Sequence, residues 1–125
     1  MGKSVFVSCV YEDSSYIKNI ERWAKGGLLG NDVNITAETE DKRSQGKEAI
    51  KNHIKNKIRG AAVVVVLNGN DTHNHDWIKA EVELANSFHK KLVCMQVPNT
   101  KGALPPILKN YDRIPFHPNN LKLLL

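Results

Sequence analysis

The chain has 125 residues, 18 Lys+Arg against 13 Asp+Glu, and a formal net charge of +5. That length fits one domain with one core, and 41% hydrophobic with 25% charged residues excludes a disordered chain. The longest apolar run, Ala61 to Leu67, falls far short of the roughly 20 residues a membrane span requires, and the run Met1-Gly2-Lys3-Ser4 leads into no signal-peptide pattern, so a cytoplasmic location is expected.

The run Ser4 to Val10 is rich in β-branched and aromatic residues and predicts a strand. It ends at Tyr11-Glu12-Asp13, where Asp13 is placed to cap a helix from Ser14 to about Lys25. Tyr16, Ile17, Ile20, Trp23 and Ala24 recur there at helical spacing, and Gly26-Gly27 ends it. Val33 to Thr36 reads as a short second strand. Ala37 to Gly46 is polar and charged and reads as a loop. Lys47 to Arg59 predicts a helix with Ile50, Ile54 and Ile58 on one stripe. Ala61 to Leu67, apolar throughout and bounded by Gly60 and Asn68-Gly69, suits a central parallel strand buried on both faces. A loop from Gly69 to His75 leads to a helix from about Asp76 to His89. Leu92 to Val97 is a fourth strand. Beyond Pro98, Arg113 to Phe116 reads as a fifth, edge strand, and Asn119 to Leu125 as a last helical turn or two.

Strands alternating with helices through short loops imply an α/β fold: a central parallel sheet of four to five strands, with helices on both faces. Ligands of such sheets bind beyond the carboxyl ends of the strands. That rule points to three loops, Ser8 to Asp13, Ala37 to Gly46 and Asn68 to Asp76.

Glu81 is the most informative residue near them. At 100° per residue, Trp77, Ile78, Val82, Leu84, Ala85 and Phe88 form one apolar arc with Glu81 near its middle, while Lys79 and Glu83 point away. A carboxylate on a buried face is paired, neutralised or functional, and the structural alternative here is a partly buried ion pair with a lysine or arginine. Trp77, one turn earlier, sits beside it on the helix surface and offers an aromatic wall, or simply core packing. Ser8, Tyr11, Glu12 and Asp13 form either a capped turn or a polar rim for ribose and phosphate groups. Asn68, Gly69, Asn70, Asp71 and Thr72 form a turn whose backbone amides can also meet phosphate oxygens.

Other chemistries lack their signatures. No GxGxxG or GxxxxGK[ST] is present, and no GxSxG elbow. Cys9 and Cys94 lie in apolar segments and read as reduced core thiols. The short His73, His75, Asp76 run has no obvious distant partner, so no metal is expected. The basic residues are spread along the chain without a single block, which argues against a specific nucleic-acid partner.

Taken in order, these segments resemble a known family. Val5-Phe6-Val7-Ser8-Cys9-Val10-Tyr11-Glu12-Asp13 is similar to the opening of TIR and TIR-like domains. The third strand with Leu67-Asn68-Gly69 and Thr72 is similar to the corresponding segment of the TIR-like proteins of Thoeris anti-phage systems. Trp77-Ile78-Lys79-Ala80-Glu81 matches their W-x-x-x-E helix. The resemblance covers roughly residues 4 to 97. It implies a flavodoxin-like three-layer sandwich and an enzyme that consumes NAD as substrate, with no separate cofactor. It makes Glu81 the catalytic residue and puts Ser8, Tyr11, Asp13, Asn68, Gly69, Thr72 and Trp77 around the substrate. It implies self-association through the 37–46 loop, and a nucleotide signal that reaches a separate effector protein. Two departures stand out: Cys9-Val10 replaces the usual aromatic residues after the serine, and Asn68 replaces a usual apolar residue.

A second reading is a non-catalytic interaction module with a receiver-like fold, suggested by the acidic pair Glu12-Asp13. A phosphoacceptor receiver needs an aspartate at the end of its third strand. Leu67-Asn68 stands there, and an amide forms no acyl phosphate, so that module would work without phosphorylation.

Overall fold

The computed structural model describes residues 3–9, 15–30, 32–38, 54–69, 76–98, 100 and 113–124. Within them run β1 (Lys3–Ser8), α1 (Ser15–Lys25), β2 (Val33–Glu38), α2 (helical over 54–59), β3 (Val63–Asn68), α3 (Asp76–Ser87), β4 (Lys91–Gln96), β5 (Arg113–Pro115) and α4 (Pro118–Leu124). The five strands form one sheet in the order β2-β1-β3-β4-β5, and every neighbouring pair is parallel. The chain winds outward from β1 to β2, then crosses back to β3 on the other side of β1. The gap between the carboxyl ends of β1 and β3 is therefore the switch point of the sheet, where open α/β sheets take their ligands.

The core is laid down by strand alternation. Val5, Val7 and Cys9 of the first strand segment, with Val63, Val65 and Leu67 of β3, face α1 through Ile17 and Ile20 and α4 through Leu121. Phe6 and Val64 face the other way, onto Ile54 and Ile58 of α2 and Ala85 of α3. Val66 and Cys94 meet Ile78 and Val82 of α3 on that same side. The result is three layers, with β3 buried along its whole length. Both cysteines are buried, and neither is in a disulfide. No helix among the described residues is long and apolar enough to cross a membrane.

Several boundaries differ from the sequence reading. β2 runs two residues past Thr36, because Ala37 and Glu38 keep the ladder with Val7 and Ser8; the polar stretch thus begins inside the sheet. Ala61 and Ala62 precede β3, because the end of α2 closes over them through Gly60 N–H to Asn56 C=O and Ala61 N–H to Ile58 C=O. β1 ends at Ser8, earlier than expected. Asn68 is the last residue of β3 and not the first of a turn, since it continues the ladder with Gln96.

Helix ends are set by local chemistry. At the end of α1, Leu28 N–H bonds Trp23 C=O and Gly27 N–H bonds Ala24 C=O, with Gly27 at φ 77°. This is a Schellman closure, and glycine takes its left-handed position without strain. The same closure ends α3 at Ser87, two residues earlier than expected: Lys90 N–H bonds Ala85 C=O and His89 N–H bonds Asn86 C=O, with His89 at φ 56°.

Candidate functional site

Three polar or charged residues are buried among the described residues: Ser8, Asn68 and Glu81, each 0% exposed. Their placement is not scattered. Ser8 ends β1 and Asn68 ends β3, the two strands flanking the switch point. Ser8 stands opposite Val66, two residues before Asn68 on the same face of the sheet. By alternation this face also carries Phe6, Val64 and Val66, which pack on α2 and α3.

Glu81 enters from α3. It sits three residues after Ile78 and four before Ala85, both fully buried against the sheet, so it shares their helix face. Lys79 and Glu83 are exposed, as the wheel predicts. Burial of a carboxylate among Ile78, Val82 and the strand valines is unfavourable unless interactions offset it. Among the described residues, Ser8 Oγ finds no partner for a hydrogen bond. Asn68 Oδ1 and Glu81 Oε2 accept none, although both residues interact through other atoms.

Asn68 is joined to an amide relay that the sequence reading missed. Its Nδ2 donates to Oε1 of Gln96, its ladder partner on β4, at 3.1 Å. Gln96 Oε1 also accepts from Arg113 Nη1 of β5 at 3.4 Å. Gln96 Nε2 donates to Thr100, to Oγ1 at 2.6 Å and to the carbonyl oxygen at 3.2 Å. The one signal in the sequence was a glutamine closing an otherwise apolar strand. Gln96, Thr100 and Arg113 also line an open cavity of about 710 Å³ at the carboxyl ends of β4 and β5, with Val97 and Phe116 as its apolar walls. Beside it, burial pushes the Cys94 thiol from 9.0 up to about 11, and the Arg113 guanidinium opposes that shift.

Of the residues singled out in the sequence, Ser8, Asn68 and Glu81 are buried on the same side of the sheet, and the buried Gly69 follows Asn68 directly. Trp77 lies in the first turn of α3 by its backbone. Tyr11, Asp13 and Thr72 lie outside the described residues, as do His73, His75 and the 39–46 part of the polar loop. Among the described residues no three His, Cys, Asp or Glu side chains gather to hold a metal ion.

A family model described as "Thoeris protein ThsB, TIR-like domain" matches residues 6–102, a span that includes Ser8, Asn68, Glu81 and Gln96. No curated protein sequence matches the chain. Among solved structures, the TIR domain of the Toll-related receptor TRR-2 from Hydra magnipapillata is similar with a TM-score of 0.62, at 12% identity, over 90% of this chain and 82% of that one. At that identity the likeness is one of fold: a flavodoxin-like parallel sheet between helical layers.

Proposed function

The chain belongs to the TIR-like domain family of the Thoeris protein ThsB, and we propose that it cleaves the nicotinamide–ribose bond of NAD, with Glu81 as the catalytic carboxylate. The reading is supported by the burial of Glu81 on an α3 face that packs on the same side of the sheet as Ser8 and Asn68, which end the two strands flanking the switch point where a ligand of this fold binds.

The reaction suits so small a set of groups. The ring nitrogen of NAD carries the positive charge, so the C1′–N bond breaks with its electron pair going to that nitrogen, and nicotinamide leaves neutral. No strong general acid is needed. Charge builds instead on the ribose, in an oxocarbenium-like transition state. A carboxylate held in a site of low dielectric stabilises that charge, and does so more strongly than it would in water. Water then forms the new C1′–O bond and releases a proton, giving ADP-ribose. If an atom of the same nucleotide attacks, the product is a cyclic ADP-ribose. NAD is the substrate, and no further cofactor takes part. In a multi-component defence system the released nucleotide acts on a separate effector, and the chain works in the cytoplasm.

The test is incubation of wild-type and Glu81→Gln protein with NAD at high protein concentration, with products separated by liquid chromatography and identified by mass. Wild type releases nicotinamide, and the variant is at least about 10³-fold slower with its fold intact. Equal release from both removes Glu81 from the chemistry. No release from either returns the chain to the non-catalytic interaction module.

A further inference from the structure

Amide side chains have a direction, and here the hydrogen bonds fix it. Thr100 Oγ1 has one proton and gives it to Val97 C=O at 2.6 Å. Toward Gln96 it is therefore an acceptor, as is the Thr100 carbonyl oxygen, so the group of Gln96 that meets them is Nε2. Arg113 has donors only, and it meets the other end, Oε1. Two independent partners thus favour the same orientation of Gln96.

The consequence passes to Asn68. The group facing it is the Gln96 carbonyl oxygen, so Asn68 turns Nδ2 toward β4 and Oδ1 away from it. Away from β4 lies the β1 side of the switch point, where the buried hydroxyl of Ser8 stands, on the sheet face against which α3 packs with Glu81 buried. We infer that Gln96, clamped by Arg113 and Thr100, is a positioning residue: it locks the Asn68 amide with its carbonyl oxygen presented to the site, so that Asn68 selects a substrate N–H donor. With NAD as substrate, on which this inference rests, the donor is the carboxamide NH₂ of nicotinamide, the ring attached to the carbon that Glu81 serves. A carboxylate in its place has no proton to give and brings its own negative charge toward both Oδ1 and Glu81.

The probe is nicotinic acid adenine dinucleotide, which differs from NAD in that one group. Wild type prefers NAD by about 10²-fold or more in kcat/KM, because a site built to accept from a donor rejects an analogue that lacks it. Gln96→Leu, which keeps the volume and loses both ends of the relay, narrows the preference to under about tenfold. Gln96→Glu still offers an oxygen to Asn68 and Arg113 but sets its other oxygen against the two acceptors of Thr100, so it narrows the preference less than Gln96→Leu does. Thr100→Val, a milder change, moves in the direction of Gln96→Leu and covers the case in which Gln96→Leu does not fold. An unchanged preference in both Gln96→Leu and Thr100→Val overturns the inference. A second readout does not depend on turnover. The solvent-exchange rate of the Asn68 side-chain NH₂ protons, read by ¹⁵N-edited NMR, rises at least about tenfold in Gln96→Leu if that bond holds the amide. If wild type processes neither nucleotide, the NAD reading fails and the exchange rates alone decide the positioning role; equal rates then overturn it.

Discussion

Trp23 and Phe116 hold their rings 4.6 Å apart at an interplanar angle of 43°. Tyr16 meets the same phenylalanine edge-on at 5.3 Å, so two residues of α1 grip the chain just after β5. Aromatic pairs of this kind add to the area they bury. Phe116 is half-buried, so its truncation falls below the full core cost of 3–5 kcal/mol. Phe116→Ala is expected to destabilise the fold by about 2 kcal/mol. Urea unfolding checks this, and a loss under about 0.5 kcal/mol would show that the grip contributes little.

Glu81 makes a prediction about stability as well as activity. A carboxylate kept in an apolar layer for chemistry weakens the fold that holds it, so Glu81→Met, of similar volume, leaves stability unchanged or raises it by about 1–3 kcal/mol. A carboxylate serving as half of a structural ion pair behaves in the opposite way, because its removal strands the partner charge, at about 3–5 kcal/mol. Thermal unfolding of Glu81→Met separates the two. A large drop in melting temperature would favour the structural role.

Much of this arrangement was legible in the sequence because it rests on local periodicity. The continuous apolar run before Asn68 marks a strand buried on both faces, and β3 is one. The helical wheel isolates Glu81 because Ile78, Val82 and Ala85 surround it at helical spacing, and all four are buried. Ser8 follows from the rule that ligands gather at strand ends. What escaped is long-range. Gln96 and Asn68 are 28 residues apart, and only the β3–β4 register puts them side by side. The relay to Arg113 needs β5, a three-residue strand whose parallel pairing with β4 has no periodic signal of its own. By its sequence Phe116 is the end of an edge strand, and its docking on α1 depends on the whole topology. The boundary at Ala37-Glu38 was missed because polar residues on an edge strand look like a loop.

His89 is a non-glycine residue in the left-handed region, at φ 56°, at the closing position of α3. A side chain there costs about 1–2 kcal/mol. Glycine removes that strain and keeps the His89 N–H bond to Asn86, while its freer unfolded chain takes back about 0.4–1 kcal/mol. His89→Gly is expected to stabilise the protein by about 0.5–1 kcal/mol. A lower melting temperature would mean that the imidazole makes a favourable contact that outweighs the strain.

Cys94 gives stability a dependence on alkaline pH. Burial raises its thiol in the folded state from 9.0 to about 11, with Arg113 opposing the shift. Between those values the unfolded chain releases the proton and the folded chain keeps it. The unfolded state then binds fewer protons, so stability falls as pH rises. The contribution is fully present below about pH 9 and is lost as pH climbs through about 11, where it amounts to about 2 kcal/mol. The useful quantity is a difference between two proteins that share every other ionisable group. Cys94→Ala lacks the thiol and keeps the other groups. Its stability deficit relative to wild type, from urea unfolding at a series of pH values, is therefore expected to shrink from pH 8.5 to 11. A deficit that stays constant over that range would mean that the Cys94 thiol ionises in the folded protein as readily as in the unfolded chain.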